Sequence, residues 1–261
     1  MNLDLTGKTA IVCGSTQGLG LASAKELALL GCTVYLMARN EEKLREAVAQ
    51  LQPANIEHGY IVADFNDPEN VQTAINEFIA THGAINILIN NTGGPAGGTA
   101  LAAGKDEFLQ AFNSHLICNH ILVQALVSGM KNSGYGRIIN IISTSVKQPI
   151  PGLGVSNTVR AAVANWSKTL ATELGAFGIT VNNVLPGFTN TVRADYVIRK
   201  KMDESGKSEA EVMTSLVAEI PARRIGQPEE FGAAVAFLCS PAAGYINGIN
   251  LPVDGGRLGC L

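Results

Sequence analysis

The chain has 261 residues, a formal net charge of −3 and 16% charged residues that are spread along its length without a basic tract. This distribution argues against a dedicated nucleic-acid binder and leaves small molecules, or other copies of the chain, as the expected partners. No apolar run is long enough to cross a bilayer, and the start, MNLDLTGKTAIV, lacks the features of a secretion signal, so we expect a cytoplasmic protein without membrane contact.

Cysteine and histidine usage does not indicate a metal site. The cysteines contain no C-x-x-C pair, and their odd number predicts free thiols at Cys13, Cys32, Cys118, Cys239 and Cys260. His115 and His120 flank Cys118, but no further ligands cluster there. We therefore interpret both histidines as ordinary helix residues and expect no metal.

Short β-branched or apolar runs alternate with helical patterns along the chain. The predicted strands are TAIVC (9–13), TVYLMA (33–38), YIVA (60–63), INILI (85–89), RIINII (137–142), ITVNNVL (179–185) and INLPV (249–253). Such alternation indicates βαβ units and a parallel sheet. Because no repeat or linker interrupts it, we expect a single domain over residues 1–261.

Two helical patterns and one irregular segment also stand out. A long helical run extends from about Leu101 to Met130, and a second covers residues 155–178, with small side chains at Ala161, Ala162 and Ala164 on its flanks. These alanines suit a closely packed helix, either within the monomer or in the interface of a homo-oligomer, a dimer or a tetramer. Residues 188–220 mix apolar and basic side chains without a clear period and are a candidate lid.

The first predicted strand runs directly into CGSTQGLGLASAKELALLG, which places three glycines between a strand and a helix. Missing side chains at Gly14, Gly18 and Gly20 let backbone N–H groups and the helix N-terminus approach a pyrophosphate. A glycine loop in this context predicts a dinucleotide site.

The Gly-x-x-x-Gly-x-Gly spacing resembles that of the short-chain dehydrogenase/reductase family. NNTG (90–93) is similar to the family's NNAG, PGFTNT (186–191) to its PG-x-x-x-T, VDGG (253–256) to its C-terminal signature, and RIGQPEEFGAAVAFLCS (224–240) to its penultimate segment. The resemblance covers nearly the whole chain. It implies a doubly wound α/β fold of Rossmann type, with about seven parallel strands and helices on both faces, and an oxidoreductase activity.

The second strand ends in Met37, Ala38 and Arg39, without the carboxylate that usually binds the ribose hydroxyls of NAD. Arg39 suits a 2′-phosphate, so NADPH is favoured over NADH, although Gln17 stands where many NADP-using members carry a basic residue. The resemblance implies cofactor contacts from Gly14, Ser15, Thr16, Gln17, Gly18, Leu19, Gly20, Arg39, Asp64, Phe65, Asn91, Thr92, Gly93, Arg160, Pro186, Gly187, Thr189 and Thr191.

Family members usually act through Asn, Ser, Tyr and Lys. By resemblance, Asn113 and Ser143 take the first two roles, but the positions of the proton-donating Tyr and of the Lys hold Ser156 and Arg160. A serine hydroxyl is a far weaker acid than a phenol and is shorter. Arg160 can bind ribose hydroxyls and supply positive charge, but it does not release a proton at ordinary pH.

Three interpretations of this altered set remain open. In the first, a reductase or dehydrogenase uses a water held by Ser156, Ser143 and Arg160, or a proton of the substrate itself. In the second, Lys147 or Tyr196 supplies the proton. In the third, catalysis is lost and the chain is a nucleotide-binding sensor or a silent subunit.

The expected substrate is a ketone or a secondary alcohol. The resemblance is closest to 3-oxoacyl carrier-protein reductases and to ketone and sugar-alcohol dehydrogenases. An acidic carrier protein needs a basic docking face, for which the candidates are Arg193, Arg199, Lys200, Lys201, Arg223 and Arg224. The apolar residues of the lid favour a substrate with some hydrophobic surface.

Overall fold

The computed structural model describes residues 1–53 and 55–260 and contains one seven-stranded sheet. Ala54 and Leu261, which the predicted domain includes, lie outside the described residues. The strand order is β3-β2-β1-β4-β5-β6-β7, and every neighbouring pair is parallel. The strands are β1 Thr9–Cys13, β2 Thr33–Ala38, β3 Gly59–Val62, β4 Ile87–Asn90, β5 Gly136–Ile141, β6 Ile179–Pro186 and β7 Asn250–Val253.

Nine α-helices are found in the part of the chain that the structure describes. They are α1 Gly18–Leu29, α2 Glu41–Val48, α3 Pro68–His82, α4 Lys105–Phe112, α5 Cys118–Ser133, α6 Gly154–Leu174, α7 Val192–Ser205, α8 Glu209–Ala218 and α9 Pro228–Cys239. None of the described helices is long and apolar enough to cross a membrane.

Helices cover both faces of the sheet, which confirms the predicted doubly wound fold. The side chains of β1 alternate between two cores: Ala10 and Val12 join one, whereas Ile11 and Cys13 join the other. The first core contains apolar residues of α1, α2 and α9, and the second contains those of α3, α5 and α6. This alternation is expected of a strand that is buried on both faces.

The helical run predicted from Leu101 to Met130 is shorter at its start and is interrupted. It begins at Lys105, where the Glu107 carboxylate accepts a hydrogen bond from the backbone N–H of Gly104. Between α4 and α5, residues Asn113–Ile117 form a π-helical turn. Single π turns within α-helices occur frequently at functional sites.

The segment 188–220 is more regular than its sequence indicates. Gly206, in the left-handed region at φ +68°, ends α7, and Ser208 begins α8 by accepting a hydrogen bond from the Glu211 N–H. Ile198, Val212 and Leu216 then form a small core of their own. Each helix buries its apolar face against the other, so the mixed composition is that of two short amphipathic helices.

Four asparagines form a hydrogen-bonded row across the neighbouring strands β4 to β7. Asn90, Asn140, Asn183 and Asn250 lie opposite one another in the strand register. The Asn90 Nδ2 donates to Asn140 Oδ1 at 2.8 Å, and the Asn140 Nδ2 donates to Asn183 Oδ1 at 3.1 Å and to Ser167 Oγ of α6 at 3.2 Å. Each amide depends on its neighbours, because a buried polar group without a partner is costly.

Replacing the centre of this row, Asn140→Leu, is expected to lower the free energy of unfolding by about 2–4 kcal/mol, since several buried partners lose their hydrogen bonds. Urea denaturation measures the change. Asn76→Leu is the control: Asn76 is exposed on α3, so its replacement should change stability by less than about 0.5 kcal/mol. Equal effects of both substitutions would contradict a structural role for the row.

Candidate active site

The carboxyl ends of six parallel strands bring the predicted site segments to one edge of the sheet. The glycine loop follows β1, Arg39 follows β2, Asp64 follows β3, Asn91 follows β4 and Ser143 follows β5. Pro186 ends β6 and begins the PGFTNT segment. The order in which successive strands are added to the sheet reverses between β1 and β4, and at such a switch point the loops diverge and leave a crevice for a ligand.

Close backbone packing explains the glycines of the first loop. A Cβ atom on Gly20 would lie 2.4 Å from the carbonyl oxygen of Gly14, and one on Gly14 would lie 2.6 Å from that of Asn91. Gly14 and Gly18 also have φ values of +56° and +60°. The Asn91 side chain holds the loop in place by donating to the Gly14 carbonyl at 3.0 Å. Asn91 therefore supports the loop, in addition to its predicted place on the nicotinamide side.

The start of α1 is free to bind an anion. Gln17, its N-cap residue, makes no side-chain capping bond, and the first turn contains no acidic residue. Ser15 is fully buried in the loop and its Oγ has no hydrogen-bond partner among the described residues. Thr16 and Leu19 are half-buried and Gln17 is exposed. Unpaired N–H groups at a helix N-terminus suit a phosphate group.

The remaining predicted cofactor residues line the same edge. Arg39 is exposed and takes part in none of the ion pairs found within residues 1–53 and 55–260. The Asp64 carboxylate accepts two hydrogen bonds from Asn66, and Phe65 follows it, half-buried. From the β6 side, the Thr191 Cγ2 would lie 3.7 Å from a Cβ on Gly18, so the PGFTNT segment reaches the glycine loop.

The PGFTNT segment is held by backbone contacts of its own. The Gly187 N–H donates to the Val253 carbonyl at 2.9 Å, and a Cβ on Gly187 would lie 2.4 Å from the Asp254 Cα. Thr189 is buried and pairs with Gly226, and Thr191 is the N-cap residue of α7. The lid helices therefore begin at the crevice.

Ser143 and Ser156 offer two hydroxyl groups, one just after the end of β5 and one at the start of α6. The Ser143 Oγ accepts a hydrogen bond from the Ser145 N–H at 3.0 Å, which leaves its own proton available for donation. Ser156 is half-buried one turn before Arg160. The next residue, Asn157, fixes the loop before α6 by donating to the Ile150 carbonyl at 2.9 Å.

Arg160 is a buried cation that forms no ion pair with a carboxylate in the part of the chain that the structure describes. It is 8% exposed, its Nη1 donates to the Ile141 carbonyl at 2.9 Å, and its Nε has no hydrogen-bond partner within the described ranges. Burial lowers the pKa of the guanidinium to about 10, which keeps it charged at neutral pH. An unpaired buried charge costs free energy, so the guanidinium favours a ligand that completes its hydrogen bonds.

His115 is the site residue that the sequence reasoning missed. It is 2% exposed, and its Nδ1 is hydrogen-bonded to the hydroxyl group of Thr92 in the NNTG segment. Burial, and then the charge of Arg160, lower the pKa of the imidazole to about 2, so the ring is neutral at physiological pH. The sequence predicted an ordinary helix residue at this position. The ring instead contacts a segment that is predicted to bind the cofactor.

The structure does not bring Asn113 into this group. Asn113 is exposed at the start of the π-helical turn, whereas His115, two residues later, points inward. The sequence does carry a signal for this arrangement: Ala111, His115, Cys118 and Leu122 recur with the helical period and are all buried. A histidine on the buried face of a helix needs a polar partner, and Thr92 provides it.

The candidate lid contacts loops at the edge of the candidate site. A Cβ on Gly97 would lie 3.4 Å from Lys200 Nζ on α7 and 3.4 Å from the Gly152 carbonyl oxygen, so the lid meets the loops after β4 and before α6. Tyr196, one candidate proton donor, is 55% exposed with the Arg193 guanidinium 5.0 Å from its ring centre. The other candidate, Lys147, is half-buried after the turn that Ser143 begins.

Three comparisons relate the chain to known proteins. A family model described as enoyl-(acyl carrier protein) reductase matches residues 14–257. The chain is 33% identical to the 3-oxoacyl-(acyl-carrier-protein) reductase FabG of Haemophilus influenzae over 97% of its own length and 98% of that protein. It is 32% identical to the short-chain reductase protein NovJ of Streptomyces niveus, over 95% of this chain and 93% of that one.

Among solved structures, the L-sorbose reductase of Gluconobacter frateurii, complexed with NADPH and L-sorbose, superposes with a TM-score of 0.94. The sequences are 31% identical and the match covers 100% of both chains. The whole chain, including the lid, therefore has a counterpart in that reductase.

The lowered pKa of His115 predicts a loss of stability in acid. In the unfolded chain the imidazole titrates near 6.5, but in the folded chain it stays neutral down to a pKa of about 2. Below pH 6.5 the unfolded state therefore binds a proton that the folded state excludes, and the free energy of unfolding falls as the pH drops.

His115→Gln removes this titration. Between pH 6 and pH 4 the wild type should lose on the order of 1 kcal/mol of stability per pH unit relative to the variant. Urea denaturation of both proteins at several pH values measures the difference. Parallel stability curves would contradict a buried neutral imidazole.

Proposed function

The chain belongs to the short-chain dehydrogenase/reductase family, and on this premise we propose that it is an NADP(H)-dependent oxidoreductase that acts on a ketone or a secondary alcohol. The observation that carries the proposal is the buried guanidinium of Arg160 at the carboxyl end of β5, which forms no ion pair with any described residue. Family members of known structure include reductases with bound NADPH, such as the L-sorbose reductase.

The residues of the crevice suit the parts of NADPH. The free N–H groups at the start of α1 suit the pyrophosphate, and Arg39 suits the 2′-phosphate because it is exposed and has no competing carboxylate. Asp64 and Phe65 would bind the adenine side. Thr92, Gly93 and Arg160 would bind the nicotinamide side, with the PGFTNT segment closing over it. When bound, the cofactor supplies a hydride to the carbonyl carbon or takes one from the alcohol.

The protein contributes position and charge to the reaction. Ser143, whose proton is free, would hold the substrate oxygen, and Ser156 offers a second hydroxyl where the family's proton donor usually stands. The Arg160 charge, little screened because it is buried, would stabilise negative charge that develops on that oxygen. Asn113, which is exposed, would act at most through the π-helical turn that it begins.

A small ketone fits the surface better than an acyl group on a carrier protein. Of the six basic candidates for a docking face, Arg224 pairs with Glu230, Lys200 pairs with Glu204, and Arg223 donates to the Ala218 carbonyl. Only Arg193, Arg199 and Lys201 among those six are exposed without such a partner in the described part of the chain. Docking of a carrier protein remains the alternative, supported by the likeness to FabG.

We also propose a single-domain, cytoplasmic homo-oligomer, a dimer or a tetramer. Leu109 and Phe112 of α4 are exposed, and Ala161 is exposed on α6, which packs against α4. Large exposed apolar side chains on one helix, beside a small apolar residue on the next, suit contact with another copy of the chain. Light scattering of the purified protein measures the assembly.

The test of the proposed activity combines binding with turnover. The purified protein is titrated with NADPH and with NADH by fluorescence, and nicotinamide absorbance is then followed with a panel of ketones, sugars and 3-oxoacyl thioesters. We expect tighter binding of NADPH and turnover of at least one ketone. Tight binding without any turnover would instead support the sensor, or silent subunit, that the missing tyrosine suggests.

Arg39→Asp is expected to reverse the cofactor preference, because a carboxylate repels the 2′-phosphate and accepts hydrogen bonds from ribose hydroxyls. NADPH should bind at least about tenfold more weakly, since a charge-assisted bond contributes about 1.5–3 kcal/mol. Lys43→Ala, an exposed cation on α2, is the control and should leave both affinities unchanged. An unaltered NADPH preference in Arg39→Asp would contradict the role of Arg39.

A further inference from the structure

The site lacks a tyrosine at the usual place of the proton donor, yet it contains another ring that can carry a proton, the imidazole of His115. His115 lies on the π-helical turn between α4 and α5, under the Thr92 hydroxyl and close enough to Arg160 for that charge to act on it. It enters the site from a different helix than Ser156. This placement separates it from the surface candidates Lys147 and Tyr196.

The two ring nitrogens of His115 have different surroundings. Nδ1 is hydrogen-bonded to Thr92 Oγ1. No group within residues 1–53 and 55–260 hydrogen-bonds Nε2, and this nitrogen keeps some contact with solvent. The ring therefore has one nitrogen bound to a half-buried hydroxyl and the other nitrogen open to solvent. An imidazole with one occupied and one open nitrogen is arranged to move a proton through itself.

We propose that His115 is the proton relay of this enzyme and takes the part that a tyrosine plays elsewhere in the family. The proposal rests on the proposed ketone reduction. Nε2–H faces the substrate oxygen, directly or through one water, and Nδ1 accepts the hydrogen bond of Thr92 Oγ1.

The proton transfers balance along this chain. As the carbonyl is reduced by the nicotinamide, the new alkoxide oxygen forms an O–H bond and the Nε2–H bond of His115 breaks. In the same event Nδ1 gains the Thr92 hydroxyl proton, so the ring stays neutral, and water replaces that proton on Thr92 and leaves hydroxide to the solvent. After the product departs, water in the cleft returns the ring to its starting tautomer.

The charge of Arg160 determines the form of the relay. An imidazolium beside a buried guanidinium would be repelled, so the ring acts as a neutral carrier that gains a proton on one nitrogen as it loses one from the other. Arg160 is the charged group that acts on the ring, and the Cys118 thiol of α5 lies one helical turn further along the chain. Ionisation of the Cys118 thiol is suppressed, because burial and then the nearby Asp67 raise its pKa to about 12.

The relay is tested in the full-length protein with a ketone that the wild type reduces. His115→Gln keeps a donor near the Nε2 position but cannot pass a proton through the side chain. We expect kcat to fall about 10²-fold or more. The NADPH dissociation constant should stay within about threefold of the wild-type value. His120→Gln is the matched control, because His120 is half-buried on the same helical run and packs edge-on to Trp166, and it should leave kcat unchanged.

Two further readouts separate a relay from a merely structural role. In His115→Ala, added imidazole should restore part of kcat in proportion to its concentration. Thr92→Val should lower kcat about tenfold and weaken the solvent deuterium isotope effect, because it removes the hydroxyl that supplies Nδ1. If His115→Gln does not fold, these two variants carry the test.

The outcomes distinguish failure of the proposed relay from failure of the proposed reductase activity. An active wild type with unchanged kcat in His115→Gln, or with no imidazole rescue of a folded His115→Ala, would overturn the relay and leave the reductase intact. A wild type that binds NADPH but reduces no ketone would overturn both proposals.

Discussion

A single constraint organises the site: the guanidinium of Arg160 is buried and charged, and no carboxylate among the described residues neutralises it. Among the described residues, the guanidinium finds a hydrogen-bond acceptor in the Ile141 carbonyl at the end of β5, but its Nε has no partner. Burial, and then this charge, lower the pKa of the neighbouring His115 imidazole and keep the ring neutral. In a folded chain such an arrangement is costly, and the cost is offset when a polar ligand binds.

The sheet positions this charge by means that are unrelated to the reaction. The asparagine row holds β4 to β7 in register. Asn91, the next residue after β4, then ties that end to the glycine loop of β1. Small residues at Gly14 and Gly20 let the two segments touch. Strand register and loop packing therefore determine where the cofactor segments lie.

Local patterns were sufficient to predict the strands and the cofactor edge, because a buried parallel strand is a short apolar run and a glycine loop is a local motif. All seven strands lie within about two residues of their predicted bounds. The interrupted helix before and after Asn113 and the inward turn of His115 were not predictable in this way. Both depend on packing against α6 and on Thr92, which are distant in the sequence. The helices of the candidate lid are also stabilised by the contact between α7 and α8, which no single stretch of sequence reveals.

The most direct test of this account is the stability of Arg160→Met with and without NADPH. Removing a buried unpaired charge should leave the protein without cofactor at least as stable as the wild type. The increase in unfolding free energy on adding NADPH, about 2.7 kcal/mol when the ligand stands at 100 times its dissociation constant, should be largely lost at the same NADPH concentration. A variant that is less stable without cofactor, yet is stabilised by NADPH as much as the wild type, would contradict the account.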